Sequence, residues 1–508
     1  MRSIHVGWVC LLLACGGSQD TTDGGTDAAN DVEVKPDTGV DASTDTGVDA
    51  SCAAPTTTFY VDATNGSDTN NGGGATCAFK TITAALTASE THYNATIDVA
   101  AGTYAAGETF PLVVDHGRSL VGAGAGTTKI QGATTATYNT TNTGSLLDTG
   151  THFVTMLAGD VMGGANSLGA TTISGLTVLP PSTVTTPTAN YLGIVCIAGN
   201  GPNTGATLPL PAPNLILKTL TVGPNFDTGV AVGSSPTTQT ACNVAITTST
   251  FSAANAGVIT GACGTTNPAL SWPSSQIGDG QPADANTFEG TVIGVFGGGC
   301  GSVQSFDVNK FTSGYRGIVL VSQASQYFEI LGNTFDGTAA PNMGIGINTN
   351  ASAVINKLND NVFTNISEST AADTAVSATT GYAIALGAGN VLQAQRNAIH
   401  DNDNGLLIAG APSQNFDFSS DGTLVNRNQF YCNSKVTTGN GYDVILDYGS
   451  NSAANFAGNA WDHAPPSTSV STTTSTNATD IVTGTSGGAT TTNYQAAITT
   501  ACATGRSH

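Results

Sequence analysis

The chain has few charged residues, and basic side chains are the scarcest. Asp, Glu, Lys and Arg make up 9% of its 508 residues, and 13 Lys and Arg stand against 35 Asp and Glu, so the formal net charge is −22. This balance excludes a basic groove for nucleic acid or another anionic polymer. It also disfavours amphipathic helices, because their solvent face needs charged side chains. We therefore expect little helix.

Two further features are missing. No Cys-x-x-Cys pair or His-rich spacing suggests a metal centre, so we expect no cofactor. Beyond the amino terminus, no segment has the ~18 continuous apolar residues of a membrane-spanning helix. Gly, by contrast, occurs 63 times, and Thr, Ser, Asn and Ala are also abundant. This composition suits tight turns and stacked polar side chains.

The second half of the chain repeats Asn, any residue, then a large apolar residue. Asn286 to Asn309 spans 23 residues, and Asn309 to Asn333 spans 24. A repeat of this length made of short strands fits one coil of a parallel β-helix. Two apolar strands accompany the motif, as at residues 317–321 and 327–331, so we predict an all-β, right-handed parallel β-helix with three strands per coil. The motif asparagines are Asn286, Asn309, Asn333, Asn361, Asn397, Asn428 and Asn459.

These asparagines are predicted to form a structural ladder. Stacked Asn side chains can hydrogen-bond from coil to coil, and Asn tolerates the left-handed conformation of a tight turn. Near the fifth copy, Asp401 and Asp403 precede Gly405 in a spacing similar to part of a calcium loop. The further carboxylates of such a loop do not follow, so a plain turn is the alternative to calcium.

The amino terminus predicts export. Arg2, an apolar run over residues 6–13 and a lipobox ending at Cys15 resemble a bacterial lipoprotein signal peptide. Processing would leave Cys15 lipidated, followed by an acidic linker. An ordinary secretory signal is the alternative. The predicted location is the outer membrane or cell surface, with the lipid as the membrane attachment.

Eight cysteines remain after Cys10 and Cys15 are set aside, and an even number in an exported chain indicates disulfides. Cys52 with Cys77, and Cys432 with Cys502, are the preferred pairs because each would clamp one end of the solenoid. Other pairings stay open. The eight are Cys52, Cys77, Cys196, Cys242, Cys263, Cys300, Cys432 and Cys502.

Residues 58–131 differ from the later coils and are expected to cap the open core. They resemble domain of unknown function 1565, a family of bacterial exported β-helices of the pectin-lyase-like superfamily. The resemblance implies a fold and an exterior location, and it supplies no catalytic residues. A short helix is expected over residues 81–89. The motifs that carry the resemblance are residues 59–62, 66–68, 77–82, 84–86, 102–104, 107–112 and 120–122.

These observations divide the chain into five parts. The predicted parts are a signal peptide (1–14), a lipidated acidic linker (15–51), a cap with the first coils (52–131), the parallel β-helix (132–464) and a Ser/Thr-rich capping segment (465–508). Most length variation between coils falls at one corner. We therefore hypothesise that inserted loops there frame a binding groove, with drift at a tolerant surface as the alternative. The loops are residues 180–192, 336–343, 364–380 and 431–440.

An enzyme must also be considered, because pectin-lyase-like folds include polysaccharide lyases and hydrolases. Lys310, Tyr315 and Arg316 form the densest group of bases, although solvated surface residues would look the same. The residue set of polygalacturonases is absent. Trp461-Asp462-His463 is similar to part of a pectate-lyase motif, but it lacks the basic partners and is interpreted as an end-of-core Trp.

The function predicted from the sequence is that of an exported, lipid-anchored surface β-helix. It would act as a monomeric binding or structural module, with extracellular polysaccharide as the expected ligand on superfamily analogy alone. Two alternatives stand beside it: a polysaccharide lyase or glycoside hydrolase with an unrecognised site, and a passive surface-coat or adhesion protein.

Overall fold

The apolar strands of the repeat wind around one core in a computed structural model of the protein. The structure describes residues 52–506 apart from several segments, and all described residues lie in one unit, Val48–His508. The residues left out are 1–51, 135–136, 141–149, 160–168, 186–189, 198–214, 234–241, 253–254, 263–274, 300–302, 323–326, 340–341, 352, 369–380, 388–389, 410–415, 421–422, 424, 435–440, 448–452, 470–478, 484–487, 491–493, 495–496, 504–505 and 507–508.

Three long parallel sheets line the core. Sheet I contains β1 (Thr58–Val61), β2 (Thr96–Val99), β5 (Ser119–Gly122), β9 (Thr171–Ser174), β12 (Leu215–Lys218), β15 (Val244–Thr247), β18 (Ser275–Ile277), β21 (Val303–Asp307), β24 (Tyr327–Leu331), β27 (Val354–Asn359), β30 (Asn390–Val391) and β31 (Ala394–Gln395). Sheet II contains β3 (Gly102–Tyr104), β6 (Thr128–Gln131), β10 (Thr177–Leu179), β13 (Thr221–Val222), β16 (Thr250–Phe251), β19 (Thr287–Phe288), β22 (Lys310–Phe311), β25 (Thr334–Asp336), β28 (Val362–Thr364), β32 (Ala398–His400), β34 (Gln429–Tyr431) and β37 (Ala460–Trp461).

Sheet III completes the cross-section. It contains β4 (Leu112–Val114), β7 (Thr137–Thr140), β8 (Gly150–Gly159), β11 (Tyr191–Ile197), β14 (Thr228–Gly233), β17 (Ala256–Ala262), β20 (Thr291–Gly299), β23 (Gly314–Ser322), β26 (Ile345–Ala351), β29 (Tyr382–Leu386), β33 (Asn404–Ile408), β35 (Val444–Leu446), β38 (Thr468–Ser469) and β39 (Ile481–Thr483). Strand β7 pairs antiparallel with β8. Outside the three sheets, β36 (Ala453–Asn455) pairs with β40 (Gly488–Thr490), and two 3-10 turns lie at Ala75–Cys77 and Pro282–Asp284.

Each coil passes from sheet I to sheet II to sheet III, as β21, β22 and β23 do, before β24 pairs with β21 and opens the next coil. Inward side chains alternate with outward ones along these strands. Phe306 in sheet I, Phe311 in sheet II and Ile318 in sheet III therefore meet in the core. The predicted right-handed parallel β-helix with three strands per coil is confirmed.

The seven motif asparagines form one continuous hydrogen-bonded ladder. In every step the side-chain amide nitrogen of one Asn donates to the side-chain oxygen of the Asn in the next coil, at 2.8 to 3.2 Å. All seven side chains are buried. The ladder satisfies buried polar groups at the corner between sheets I and II, where the chain turns and strand pairing stops.

The backbone reason offered for these asparagines is wrong. None of the seven has a positive φ, and in several coils the left-handed residue is the one before the Asn, as at Val308 (φ 54), Asp360 (φ 62) and Arg396 (φ 58). The side-chain amide, with its two donors and one acceptor oxygen, is therefore what the position requires.

Aromatic rings stack beside a column of glycines at the corner between sheets II and III. Phe311, Phe335 and Phe363 stack with centroids 4.7 and 4.6 Å apart. A Cβ added to Gly317 would lie 2.6 Å from the Phe335 ring and from the carbonyl oxygen of Gly346. The ring column thus occupies the space that any larger residue at Gly317 would need.

The expected cap helix is α1, Ile82–Ala88, and it closes the amino-terminal end of the core. The Thr81 hydroxyl accepts from the Ala84 N–H, and the Glu108 carboxylate accepts from the Ile82 and Thr83 N–H groups, each at 2.8 Å. These contacts satisfy donors that every helix start leaves unpaired. Motif residue Glu108 therefore has a structural role at this helix.

Disulfides join Cys52 to Cys77 and Cys432 to Cys502, as the preferred pairing has them. A third joins Cys196 to Cys242, both fully buried. Cys263 and Cys300 lie outside the described residues, as do Cys15, the signal peptide and the linker.

At the carboxyl-terminal end, β39 pairs with β35, and Ile481 is fully buried. This places part of the Ser/Thr-rich segment on the last coil. Among the described residues, no helix combines the length and hydrophobicity needed to span a bilayer.

Candidate functional site

The three candidate catalytic bases proposed from the sequence do not form an open site. Lys310 is exposed on β22 of sheet II, whereas Tyr315 and Arg316 lie on β23 of sheet III. Arg316 is only 1% exposed, and its guanidinium lies 5.5 Å from the Tyr315 ring centroid. A guanidinium at this depth is placed to pack within the fold and not to contact an external polymer. The structure thus argues against this trio as a catalytic group.

The predicted groove is partly outside the described residues. Residues 186–189, 340–341, 369–380 and 435–440 of its loops fall in segments left out. Of the described part, Met343 and Ile366 are fully buried members of the main core. These two side chains anchor their loops to the core and do not line a groove.

Asp401 and Asp403 contact other parts of the chain. The Asp401 carboxylate accepts from the Ala503 N–H at 2.7 Å, and that of Asp403 accepts from the Glu368 N–H at 2.7 Å and contacts Arg506 at 3.3 Å. These contacts hold the carboxyl-terminal segment against the coils. They favour a structural role for both carboxylates over the calcium interpretation.

A different group of polar side chains lies on the outer face of sheet I. Its members come from the adjacent strands β21, β24 and β27, and we call them the sheet I strip. Alternation places them outward, because the neighbours Phe306, Phe328 and Ile330 point into the core. The strip consists of Ser305, Asp307, Tyr327, Glu329, Asn356 and Lys357.

A β-bulge concentrates the strip around Glu329. The register between β24 and β27 shifts after Phe328, so Glu329 pairs with Lys357, and Asn356 is the extra residue. Lys357 Nζ lies 3.0 Å from Glu329 Oε1, and the Asn356 amide approaches the same oxygen at 3.5 Å. Bulges often re-aim side chains in this way beside functional sites.

Asp307 is the member of the strip whose pKa is raised. Its Oδ2 accepts from the Ser305 hydroxyl at 2.8 Å, and its Oδ1 is buried without a hydrogen-bond partner among the described residues. Burial raises the pKa of Asp307 to about 6, and the nearby charge of Glu329 adds to the shift. A carboxyl group with such a pKa can exchange a proton near neutral pH, and such groups are enriched at functional sites.

Replacing Asp307 with Asn should stabilise the protein at pH 8 and have little effect at pH 3.5. The folded-state pKa is raised, so the carboxyl contributes no penalty below its unfolded value of 3.8 and its full penalty above about 6. The expected gain at pH 8 is at most about 3 kcal/mol, since each pKa unit of the shift is worth about 1.4 kcal/mol. Urea unfolding of both proteins at the two pH values measures it, with exposed Asp447→Asn as the charge-matched control. Equal stabilities at pH 8 would contradict it.

A cleft lies between α1 and β4. This cleft of about 340 Å³ is lined by residues that include Leu86, Asp115, His116 and Arg118. Arg118 is buried, pairs with Asp115 and donates to the Leu86 carbonyl at 2.7 Å. Its donors thus hold α1 to the first coils. We therefore interpret the cleft as a packing gap between the cap helix and the first coils.

The fold defines this chain as a right-handed parallel β-helix protein. Residues 64–270 match the family described as "Protein of unknown function (DUF1565)", which confirms the resemblance carried by the amino-terminal motifs. The match ends before the sheet I strip begins. No curated protein matches the chain.

Two solved structures are similar over most of their length. The A-module of the mannuronan C-5 epimerase AlgE6 from Azotobacter vinelandii is 14% identical, with 82% of this chain and 94% of that chain covered and a TM-score of 0.34. A complex of XylC with xylose is 11% identical, with 84% and 86% covered and a TM-score of 0.32.

Proposed function

We propose that this protein is an exported, lipid-anchored surface module that binds extracellular glycan through the sheet I strip. One observation carries the glycan proposal: Tyr327, 48% exposed, lies on the same face as Glu329, two residues along β24. An exposed aromatic ring offers an apolar surface for a sugar, and adjacent carboxylate, amide and ammonium groups can hydrogen-bond its hydroxyls.

Charge favours a neutral polysaccharide over a polyuronate. Asp307 and Glu329 are opposed in the strip by the single ammonium of Lys357, and the whole chain carries −22. A polyanion would therefore approach a negative protein across a strip without excess positive charge. The proposed anchor rests on the sequence ending at Cys15, which would hold the module on the membrane.

The test is retention of the purified chain on immobilised neutral and uronate polysaccharides. Wild-type protein should be retained by at least one neutral polysaccharide, and Tyr327→Ala should weaken that retention at least about tenfold, because the stacking surface is lost. Tyr93→Ala is the matched control, since Tyr93 is 50% exposed but lies in the amino-terminal cap. Equal retention of both variants would reject the strip as the binding surface.

Membrane fractionation of bacteria that express the chain tests the anchor. Wild-type protein should sediment with membranes, and Cys15→Ala should not, because the lipid attachment point is gone.

In the polysaccharide test, retention of the wild-type protein by none of the polysaccharides would favour a passive surface coat.

A carbohydrate-active enzyme is the second candidate, and Asp307 is the observation that favours it. A carboxyl group with a pKa of about 6 beside Glu329 could act as a general acid next to a second carboxylate. Shortened polysaccharide products from the wild type, but not from Asp307→Asn, would establish this function. Intact products would leave the strip as a binding surface.

A further inference from the structure

The column of small residues, mostly glycine, is continued by aspartates in the last two coils. Gly346 lies beside the Phe363 ring, Ala383 follows it in the next coil, and Gly405 lies beside Ile399 in the coil after that. Register then places Asp443 beside Gly405, because Leu406 pairs with Val444, and it places Asp480 beside Asp443, because Val444 pairs with Ile481. Two carboxylates therefore replace the smallest residue at the carboxyl-terminal end of the fold.

A third carboxylate joins them from sheet II. Asp462 follows Trp461, the last ring of the aromatic column. One carboxylate oxygen from each of Asp443, Asp462 and Asp480 lies within 4.8 Å of the other two. Asp443 and Asp480 are 3% and 2% exposed, so most of this negative charge is withdrawn from water. Burial of several like charges is costly unless something neutralises them.

The surrounding chain orients these carboxylates. Asn433 donates to Asp443 Oδ1 at 2.7 Å, and the Cys432 N–H donates to Asp462 Oδ2 at 2.9 Å. Asp480 Oδ2 accepts from the Ser467 hydroxyl at 2.7 Å and contacts His463 at 2.9 Å.

One buried oxygen is left over. Asp443 Oδ2 has no hydrogen-bond partner among the described residues, although it is shielded from solvent. Burial, followed by the charges of Asp462 and Asp480, raises the pKa of Asp443 well above its usual range. A cation or a shared proton would satisfy this oxygen, and the two make different predictions.

We propose that Asp443, Asp462 and Asp480 bind one divalent cation that prefers oxygen ligands, with Ca²⁺ as the first ion to test. Three carboxylates at the ends of different strands suit the flexible oxygen coordination of Ca²⁺ better than the tetrahedral nitrogen and sulfur coordination of Zn²⁺. The ion would cross-link β35, β37 and β39 where the helix ends. This site is separate from the sheet I strip and does not depend on glycan binding.

The experiment measures Ca²⁺ binding to the full chain after metal removal. Titration calorimetry should give one Ca²⁺ per chain, and saturating Ca²⁺ should raise the melting temperature by at least about 3 °C relative to chelator. Asp443→Asn should weaken Ca²⁺ affinity at least about tenfold and remove the thermal shift. Asp447→Asn, which removes one exposed carboxylate from the same segment, should leave both unchanged.

Two further measurements keep the test decisive. If Asp443→Asn fails to fold, Asp462→Asn replaces it, because that carboxylate is less buried. Tb³⁺, a luminescent stand-in for Ca²⁺, should be sensitised by the neighbouring Trp461 and displaced by Ca²⁺. Absence of Ca²⁺ binding, or binding unchanged in the Asp443 and Asp462 variants, would overturn the proposal. Stabilisation by Asp443→Asn without any effect of Ca²⁺ would also overturn it and indicate a shared proton.

Discussion

Replacing Asn361 with Ala should destabilise the protein by about 3–5 kcal/mol, because the change strands several buried polar groups at once. The Asn361 amide donates to the carbonyls of Ile330 and Asn359 and to the side-chain oxygen of Asn397. Its own oxygen accepts from both the backbone and the side chain of Asn333. The two donors of one amide thus serve three acceptors in the interior of the ladder.

Chemical denaturation of the wild type and the variant measures this effect, and amide hydrogen exchange locates it. Exchange should accelerate most in the coils on either side of Asn361, since each coil of a solenoid contacts its neighbours. Asn342→Ala is the control, because Asn342 is exposed in the loop before β26. A loss for Asn361→Ala no larger than for the control would show that the ladder contributes little to stability.

Phe335→Ala should cost a similar amount, about 3–5 kcal/mol, for an apolar reason. Phe335 is fully buried, and its ring is stacked between those of Phe311 and Phe363, with interplanar angles of 3° and 1°. Truncation leaves a cavity in the middle of the column. The neighbouring rings cannot close it, because each is held by its own coil spacing.

Phe335→Leu separates volume from stacking. Leucine fills most of the space, so its cost should be clearly smaller than that of alanine. Urea midpoints of the two variants make the comparison, with Tyr327→Ala as a control on an exposed ring. Equal losses for leucine and alanine would mean that ring stacking, and not filled volume, sets the stability of the column.

The Asn ladder and the coils of the β-helix could be predicted from the sequence, because both depend on the same residue types recurring at a regular spacing. Each motif Asn meets another Asn one coil later, so the periodic pattern already contains the contact. The helix α1 could be predicted because its signal is local: the capping residue Thr81 directly precedes it in the sequence. The placement of Lys310 relative to Arg316 was not, because a corner between two sheets separates them.

The sheet I strip could not be predicted, because it has no repeating residue type. Ser305, Glu329 and Lys357 differ in chemistry and belong to three coils, and the β-bulge that aligns Lys357 with Glu329 leaves no mark in the sequence pattern. The three aspartates at the carboxyl-terminal end of the β-helix left only a weak mark in the sequence pattern. Asp443 occupies the position that is glycine in most of the other apolar strands, as at Gly405, but only the register shows that Asp480 is its neighbour.

The ladder has a direction, and this direction bears on how the protein could change length. Each ladder Asn before the last donates its side-chain amide forward to the next Asn, from Asn286 to Asn309 at the start and from Asn428 to Asn459 at the end. Each coil therefore presents the same acceptor to the coil before it and the same donor to the coil after it. Duplication or loss of a whole coil would rejoin matching faces. Duplication of a gene segment could thus lengthen the β-helix, and deletion of one could shorten it, without a change in either cap.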